Sequence, residues 1–274
     1  MANILDVSNL RIWDHTTGKV VVYNSSFQVS QGRCLAIVGE SGSGKSVTCR
    51  AIMRLNTFKM RQSGNIRLNG VDLAELSEAD MRRHRGRHLC LIMQNGMRAF
   101  DPSSPVGSHF RDTLWQHYGW SRSQITSRMA KAMGSVRLQD PVALMNKYPH
   151  QLSGGMLQRM MIALAIVLEP TLIIADEPTS ALDTLSQYEV MEQLIALRAE
   201  TGCAMIFVSH DLSLVQRIAD DIVVMRDGEI LEHGTTADIF SGTRHEYTRH
   251  LLEAKQRLNR NFSNRMGGLQ HVDR

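Results

Sequence analysis

The sequence predicts an α/β fold, because short buried strands alternate with helical segments along the chain. Four continuous apolar runs have the length of buried strands, at residues 34–38, 89–93, 172–175 and 204–208. Segments with a helical pattern separate them, such as residues 185–200, which Gly202 ends. The 274 residues suffice for one large domain or two small ones with an ample core.

The first half of the chain adds β segments and a helical block. Residues 1–38 contain short β segments, with strand-like stretches at 20–23 and 27–29. A helix is predicted from Gly44 to about Asn56. Residues from about 101 to 168 are helical and lie inserted in the sheet, with loops at Pro102, Pro105, Pro141 and Pro149.

After residue 208 the predicted elements are shorter. Residues 212–219 form a short helix, and strands at 222–225 and 229–232 form a hairpin across Asp227 and Gly228. Residues 246–260 have the pattern of an amphipathic helix, and the polar residues beyond it are expected to fray.

The composition excludes a membrane-spanning protein. The chain is 43% hydrophobic and 21% charged, as is ordinary for a folded protein. Its longest apolar run, residues 160–168, is far shorter than the ~20 residues of a membrane helix. The N-terminus shows no signal peptide, so we expect any membrane role to be peripheral, from the cytoplasmic side. Four scattered cysteines suit a reducing compartment and small core positions.

The net charge of +4 is mild, and one basic run stands out at residues 81–88. Contact with nucleic acid or phospholipid is one interpretation of this run, but a solvated approach to the next strand is favoured. His84 and His88 have a helical spacing that could bind metal, but Gly86 and the neighbouring arginines disfavour both a stable helix and a bound cation.

The strongest local signal lies between the strand at 34–38 and the helix after it. It fits the phosphate-binding pattern G-x-x-x-x-G-K-[ST] and consists of Gly39, Glu40, Ser41, Gly42, Ser43, Gly44, Lys45 and Ser46. Glycines let backbone N–H groups turn around phosphates, beside the positive end of a helix dipole. We expect Lys45 to reach the β- and γ-phosphates and the Ser46 hydroxyl to bind Mg²⁺. A merely flexible Gly/Ser loop is the plain alternative.

Two adjacent carboxylates follow the strand at 172–175. Because side chains alternate along a strand, Asp176 and Glu177 point in different directions and can take different roles. Asp176 is expected to hold Mg²⁺, mostly through water, and Glu177 to polarise the water that attacks the γ-phosphate. Two acids that simply end a strand are the alternative interpretation.

A third signal opens the apolar helix that runs to Leu168. It consists of Leu152, Ser153, Gly154, Gly155, Met156, Leu157, Gln158 and Arg159. A Ser-Gly-Gly turn at a helix N-terminus offers bare N–H groups to an anion, although it can also be only a well-capped helix. In their order along the chain, the three signals resemble the ATP-binding cassette (ABC) family, whose signature typically reads L-S-G-G-Q.

Other elements of this resemblance follow in the family's order, so that it covers nearly the whole chain. Gln94 matches the glutamine that senses Mg²⁺ and the attacking water, which makes it a candidate metal and catalytic residue. Asp183 lies in a stretch, 180–183, that matches the loop crossing the dimer interface. His210 matches the switch histidine that contacts the γ-phosphate.

The resemblance implies a P-loop NTPase core of the ABC ATPase type, an N-terminal antiparallel β subdomain and an inserted helical subdomain. The ABC ATPase domain is then expected over 1–260, followed by a polar tail at 261–274. ATP and Mg²⁺ are the implied cofactors. In the family, the Ser-Gly-Gly loop of one subunit binds the γ-phosphate held by the P-loop of the other, so two ATP molecules lie between two subunits.

The implied partners are a second ABC ATPase subunit (identical or related), two membrane permease subunits and a periplasmic or extracellular substrate-binding protein, with no nucleic acid. The implied location is the cytoplasmic face of the membrane. Two departures from the family pattern matter. Met156 replaces the usual glutamine of the signature, and the aromatic residue that stacks on adenine is either Trp13, the better-placed candidate, or Tyr23.

The subgroup is indicated by the tail. Residues 245–252 resemble the H-P-Y-T-R-x-L-L segment of ATPases from the peptide and nickel importer group, with Glu246 in place of proline. Met156 and the pair Gln94 and Asn95 look most like the nickel-importing members. Peptide importers of the same group are the nearest alternative. A non-transport ABC protein, such as a subunit of a phosphonate-degrading complex, is the alternative from another class.

Overall fold

The computed structural model describes residues 2–253. In this part of the chain the strands are β1 Asn3–Asp14, β2 Val20–Ser30, β3 Cys34–Val38, β4 Met60–Leu68, β5 Val71–Asp72, β6 Leu89–Ile92, β7 Leu172–Asp176, β8 Ala204–Val208, β9 Asp221–Arg226 and β10 Glu229–Thr235. The helices are α1 Lys45–Ile52, α2 Glu78–Arg87, α3 Val106–Tyr118, α4 Arg122–Ser135, α5 Pro141–Met145, α6 Gly154–Leu168, α7 Thr184–Thr201, α8 Leu212–Ile218 and α9 Thr236–Gly242.

A six-stranded sheet forms the centre of the fold, in the order β10-β9-β3-β8-β7-β6. All neighbours pair in parallel except β10, which runs antiparallel to β9. The strands β3, β7 and β8 are buried along their whole length, because both faces of the sheet are covered. Since the strands are parallel, the loops that follow β3, β6, β7 and β8 meet at one edge of the sheet, as ligand-binding loops do in open α/β sheets.

A second sheet of four antiparallel strands, in the order β2-β1-β4-β5, packs beside the first. The buried side chains form two hydrophobic cores, and alternate residues of β3 contribute to one or the other. Leu35 and Ile37 belong to the core shared with the antiparallel sheet, and Ala36 and Val38 to the core shared with the helical block. The antiparallel strands are longer than the short segments predicted from the sequence. β-bulges interrupt the alternation of buried and exposed side chains along them, so the sequence pattern reveals only parts of each strand.

The helical block lies between β6 and β7, two strands that are neighbours in the sheet. It contains α3, α4, α5 and α6, and the apolar faces of these helices form one cluster with residues of β6, β7 and β8. The helical block is therefore inserted between two neighbouring strands of the sheet, as the sequence predicts.

Two local expectations need correction. Helix α1 ends at Ile52 rather than near Asn56, because Arg54 has a left-handed backbone (φ 51°) that no helix continues through. The basic run 81–88 is expected to lack a stable helix, but its first part belongs to a helix over residues 78–84. The Ser77 hydroxyl caps this helix by accepting from the Asp80 amide. The break falls at Arg85 and Gly86, which have non-helical dihedral angles.

At the end of the described chain, residues 246–253 are helical. The rest of the predicted helix to residue 260, and the predicted tail at 261–274, lie outside the described residues. No helix among the described residues is long and apolar enough to cross a membrane.

Candidate active site at the carboxyl edge of the sheet

The loop 39–46, called the phosphate loop below, joins β3 to α1. A Cβ added to Gly39 would lie 2.0 Å from the carbonyl oxygen of Met225, so no other residue fits there without moving β9. Gly44 caps α1 with a left-handed backbone (φ 102°), which turns the chain from the loop into the helix. Glu40, Ser41 and Gly42 form the exposed rim of the loop.

Lys45 is buried inside this loop. Its Nζ donates to the carbonyl oxygens of Gly39 (2.8 Å) and Glu40 (2.7 Å). Burial lowers the pKa of Lys45, and the negative charges of Glu177 and Asp176 oppose the shift. The ammonium group is therefore held within the loop by two carbonyl groups.

Ser46 and Asp176 face each other across the site. The Ser46 hydroxyl donates to the Asp176 carboxylate (2.8 Å). Burial raises the pKa of Asp176, and the hydrogen bond from Ser46 opposes that shift. One hydroxyl and one carboxylate beside a phosphate loop are hard oxygen donors, which fits Mg²⁺, an ion that takes few protein ligands and completes its shell with phosphate and water.

Glu177, which follows β7, lies close to residues that follow two other strands. Its carboxylate Oε2 accepts from Gln94 Nε2 (3.2 Å), which follows β6, and lies 3.6 Å from Nδ1 of His210, which follows β8. The Glu177 amide donates to the carbonyl of Val208 (3.0 Å), and the residue has a left-handed backbone (φ 47°). The structure thus brings together three residues, Glu177, Gln94 and His210, that the sequence predicts as a set.

A second Gly/Ser loop lies at the start of α6. Residues 152–155 are called the signature loop below. The Ser153 hydroxyl caps α6 by accepting from the Met156 amide (3.2 Å). A Cβ on Gly154 would meet the Leu182 side chain at 3.5 Å, and one on Gly155 the Ser186 hydroxyl at 3.0 Å.

Asp183 lies next to this loop as the cap of α7. Its carboxylate accepts from the amides of Leu185 (3.1 Å) and Ser186 (3.0 Å), and from the Ser186 hydroxyl (2.7 Å). The hydrogen bonds from Ser186 hold the pKa of Asp183 below its usual value. The stretch 180–183 and the signature loop are therefore packed together within one chain.

One contact near the site was missed at the level of sequence. Gln158 is buried in α6 (1% exposed), and its Nε2 donates to the carbonyl of Met93 (3.0 Å), directly before Gln94. A Cβ on Gly96 would lie 2.9 Å from the Leu157 Cβ. Helix α6 thus holds the loop that carries Gln94. The only sequence signal for it is a polar residue on the apolar face of a helix.

The two adenine candidates lie on different strands of the antiparallel sheet. Trp13 is half-buried at the end of β1, with the Arg11 guanidinium 5.8 Å from its ring centroid. Tyr23 is exposed on β2, and its amide donates to the carbonyl of Gly228 (2.8 Å). The neighbouring Val21 and Val22 pack against Gly44 of the phosphate loop.

Comparison with known proteins agrees with this geometry. Residues 22–180 match the ABC transporter family. The chain is 24% identical to a bacterial ABC transporter cassette whose structure is a dimer, with a TM-score of 0.75 over 85% of this chain and 98% of the other. The ATP-binding subunit of another ABC transporter is 27% identical, with a TM-score of 0.72 over 91% and 99% of the two chains. The predicted fold class is confirmed.

The chain therefore belongs to the ABC transporter family. It is similar over nearly its whole length to the metal-staphylopine import system ATP-binding protein CntD of Staphylococcus aureus, with 43% identity over 98% of this chain and 99% of that protein. It is 40% identical to the glutathione import ATP-binding protein GsiA of Salmonella typhimurium, over 93% of this chain and 42% of that protein. A putative peptide import ATP-binding protein of Brucella ovis is also 40% identical, over 93% and 78% of the two chains. The chain is an ATP-binding subunit of this peptide and metal import group.

Proposed function

We propose that the chain is an ATP-hydrolysing motor that couples ATP turnover at a dimer interface to the import of a small solute. The observation that carries this proposal is the convergence on Glu177: its carboxylate is bonded by Gln94 and neighboured by His210, next to the Ser46–Asp176 pair. Two acids, an amide and an imidazole from three strand ends, beside the phosphate loop that follows a fourth, are groups that suit phosphoryl transfer to water.

Each residue has a role that its position supports. The phosphate loop and Lys45 bind the phosphates of ATP, and Trp13 or Tyr23 stacks on the adenine. Glu177 accepts a proton from the attacking water, while Gln94 and His210 orient that water and the γ-phosphate. Ser46, Asp176 and Gln94 are the residues proposed to face Mg²⁺, whose charge would offset that of the phosphates.

The working unit is proposed to be a dimer with a second ABC ATPase subunit. In it, Ser153, Gly154 and Gly155 of one subunit complete the ATP site of the other, and Asp183 lies at the interface. The dimer would act with two permease subunits and a substrate-binding protein, on the cytoplasmic face of the membrane.

The cargo we propose is nickel, because the chain looks most like the nickel import ATP-binding protein NikD. Its support is the resemblance at Met156, at Gln94 and Asn95, and at the tail around Tyr247. The 43% identity to a metal-staphylopine import protein favours a metal complex more broadly. Peptides are the second candidate, supported by the 40% identity to a putative peptide import protein.

The cargo is tested by deleting the gene and measuring two phenotypes in parallel. Uptake of radioactive nickel at nanomolar concentration should be lost, while growth on dipeptides should be normal. A strain that carries the Glu177→Gln variant should behave like the deletion, which ties the phenotype to ATP hydrolysis. Normal nickel uptake with failed growth on dipeptides would instead assign the protein to the peptide branch.

A further inference from the structure

The end of the described chain returns to the start of the phosphate loop. Tyr247 is almost fully buried (6% exposed), although it follows an exposed stretch of polar residues. The amide of Glu40 donates to its phenolic oxygen (3.3 Å), across a separation of 207 residues. The Arg226 guanidinium lies 4.8 Å from the centroid of the same ring. The tyrosine is thus fixed by its ring and its hydroxyl together.

This contact acts on one particular peptide group. The peptide that joins Gly39 to Glu40 has its carbonyl bonded to Nζ of Lys45 (2.8 Å) and its N–H bonded to Tyr247. Both ends of the group are therefore held, one by the lysine and the other by the phenol. If this peptide rotated, the carbonyl that positions Lys45 would turn away together with the N–H.

The segment that carries Tyr247 is itself anchored to the main sheet. Glu232, at the middle of β10, accepts from the Thr243 hydroxyl (2.5 Å) and from the Arg244 amide (2.8 Å). Partial burial alone would raise the pKa of Glu232, but the hydrogen bond from Thr243 and others outweigh it and hold the pKa below its usual value. The carboxylate is charged at neutral pH, so it can hold this segment through charge-assisted bonds.

The neighbouring hairpin supports the same loop from another side. The Gly228 amide donates to the carbonyl of Ser43 (3.1 Å), and the Met225 carbonyl fills the space beside Gly39. The hairpin and Tyr247 thus contact the phosphate loop at Gly39, Glu40 and Ser43.

We propose that Tyr247 is a positioning residue of the ATP site, which orients the Gly39–Glu40 peptide and through it Lys45 and the phosphate loop. The proposal rests on the assignment of the phosphate loop as the ATP site. It gives a role to the tail segment 245–252, whose resemblance to importer ATPases otherwise marks only the subgroup.

The decisive variant is Tyr247→Phe in the full chain, because it removes one hydroxyl and keeps the ring under Arg226. The dissociation constant for ATP, and KM in the assembled transporter, should rise about two- to tenfold, the worth of one hydrogen bond. The value of kcat should be unchanged, because Tyr247 does not contact Glu177. Tyr118→Phe is the matched control: its hydroxyl donates to the Leu168 carbonyl (2.8 Å) in the helical block, and its loss should leave ATP affinity unchanged.

Glu232→Ala tests whether the anchor acts through the tyrosine. It should weaken ATP binding in the same direction, and adding Tyr247→Phe to it should weaken binding by less than the sum of the two single effects. Fully additive effects would show that Glu232 acts by another route and would remove it from the proposal.

Lys45→Ala distinguishes a failure of the ATP-site assignment from a failure of the role proposed for Tyr247. If Lys45→Ala abolishes ATP binding and Tyr247→Phe leaves it at the wild-type value, the ATP site stands and the role of Tyr247 is overturned. Equal weakening by Tyr247→Phe and Tyr118→Phe would also overturn it, since both would then act through general stability. Normal ATP binding by Lys45→Ala would refute the site itself.

Discussion

The phosphate loop and the signature loop are both short Gly/Ser turns that open a helix, yet the rest of the chain treats them differently. The Met225 carbonyl, the Gly228 amide and the Tyr247 hydroxyl contact the phosphate loop, and Lys45 is hydrogen-bonded inside the loop. The signature loop is capped by its own Ser153 and touches side chains of the adjacent stretch, Leu182 and Ser186.

Their charges differ as well. The phosphate loop contains Lys45 and lies beside Asp176, but residues 152–158 contain no charged side chain. Residues 152–158 can therefore offer N–H groups and one hydroxyl to an anion, and the next cation along the helix, Arg159, is bonded to the Gly155 carbonyl (3.4 Å) and paired with Glu189 (3.5 Å). This difference is what the proposed dimer requires, in which each chain supplies one catalytic half and one half that completes the site of its partner.

The largest effect is expected from Glu177→Gln, which attacks the chemistry of the complete half. The amide keeps the shape of the side chain but cannot accept a proton, so hydrolysis should fall by about 10²–10⁴ while ATP binding persists. The variant should collect as an ATP-bound dimer on gel filtration. Glu169→Gln is the control, because Glu169 has the same left-handed backbone (φ 47°) at the end of α6. Wild-type hydrolysis by Glu177→Gln would mean that another residue is the base.

Lys45→Ala tests the cation that distinguishes the two loops. Removing a buried charge that should bind phosphate oxygens is expected to weaken ATP binding by roughly a hundredfold, as the loss of one or two charge-assisted hydrogen bonds would. Equilibrium binding of a fluorescent ATP analogue to the isolated chain measures this. The exposed Lys131, changed to alanine, should bind ATP as the wild type does. Unchanged affinity in Lys45→Ala would erase the difference between the loops.

The third prediction concerns the signature loop and the dependence of the ATPase rate on a partner subunit. Because Met156 stands where the signature usually has glutamine, we expect the chain alone to hydrolyse ATP slowly and a second ABC subunit to raise the rate several-fold. Met156→Gln should raise the rate of the isolated chain if the missing polar group is the cause. Robust cooperative hydrolysis by the unmodified chain alone would show instead that it works as a homodimer.

How much of this could be read from the sequence depends on the distance between the interacting residues. The strands Cys34–Val38 and Ala204–Val208 were predicted with their observed limits, because a fully buried strand is one apolar run with polar ends. The residues of the phosphate loop share a local pattern, so their arrangement could also be predicted. The prediction for the run 81–88 misses the first part of α2, because it rests on Gly86 and the arginines and leaves out the Ser77 cap, while the helix does break at Arg85 and Gly86.

The contacts that link distant segments were out of reach. The bond from Gln158 to the carbonyl of Met93 and the bond from Glu40 to Tyr247 join residues 65 and 207 positions apart. The left-handed backbone of Glu177 cannot be predicted either, because nothing in its side chain favours that conformation, which accompanies the bond from its amide to Val208 on a distant strand. Local patterns predict elements and motifs, and tertiary packing decides how the motifs are held.

The smallest expected effect concerns the stability of the complete half without its ligands. Burial raises the pKa of Asp176, so its contribution to stability is present at low pH and is lost as the pH rises through the folded-state pKa. At neutral pH the charged carboxylate therefore destabilises the nucleotide-free protein. Asp176→Asn should raise the free energy of unfolding by about 0.5–2 kcal/mol at neutral pH, with a smaller gain in acid.

Urea unfolding at several pH values measures this difference. Asp220→Asn is the control of opposite sign, because the Asp220 carboxylate is bonded to Arg198 (2.7 Å) and to the Cys34 amide (2.7 Å), far from the site. That variant should be less stable than the wild type. A loss of stability in Asp176→Asn would mean that the bond from Ser46 outweighs burial.

The separation of Tyr247 from the phosphate loop along the chain also determines when this contact can form during synthesis. The phosphate loop leaves the ribosome early, but the tyrosine bonded to Glu40 is made 207 residues later. At ribosomal rates of about 5–20 residues per second, that interval lasts roughly 10–40 s. Throughout this time the nascent chain carries a recognisable nucleotide motif without its last support. The finished geometry of the loop therefore depends on a residue that is synthesised long after the loop itself.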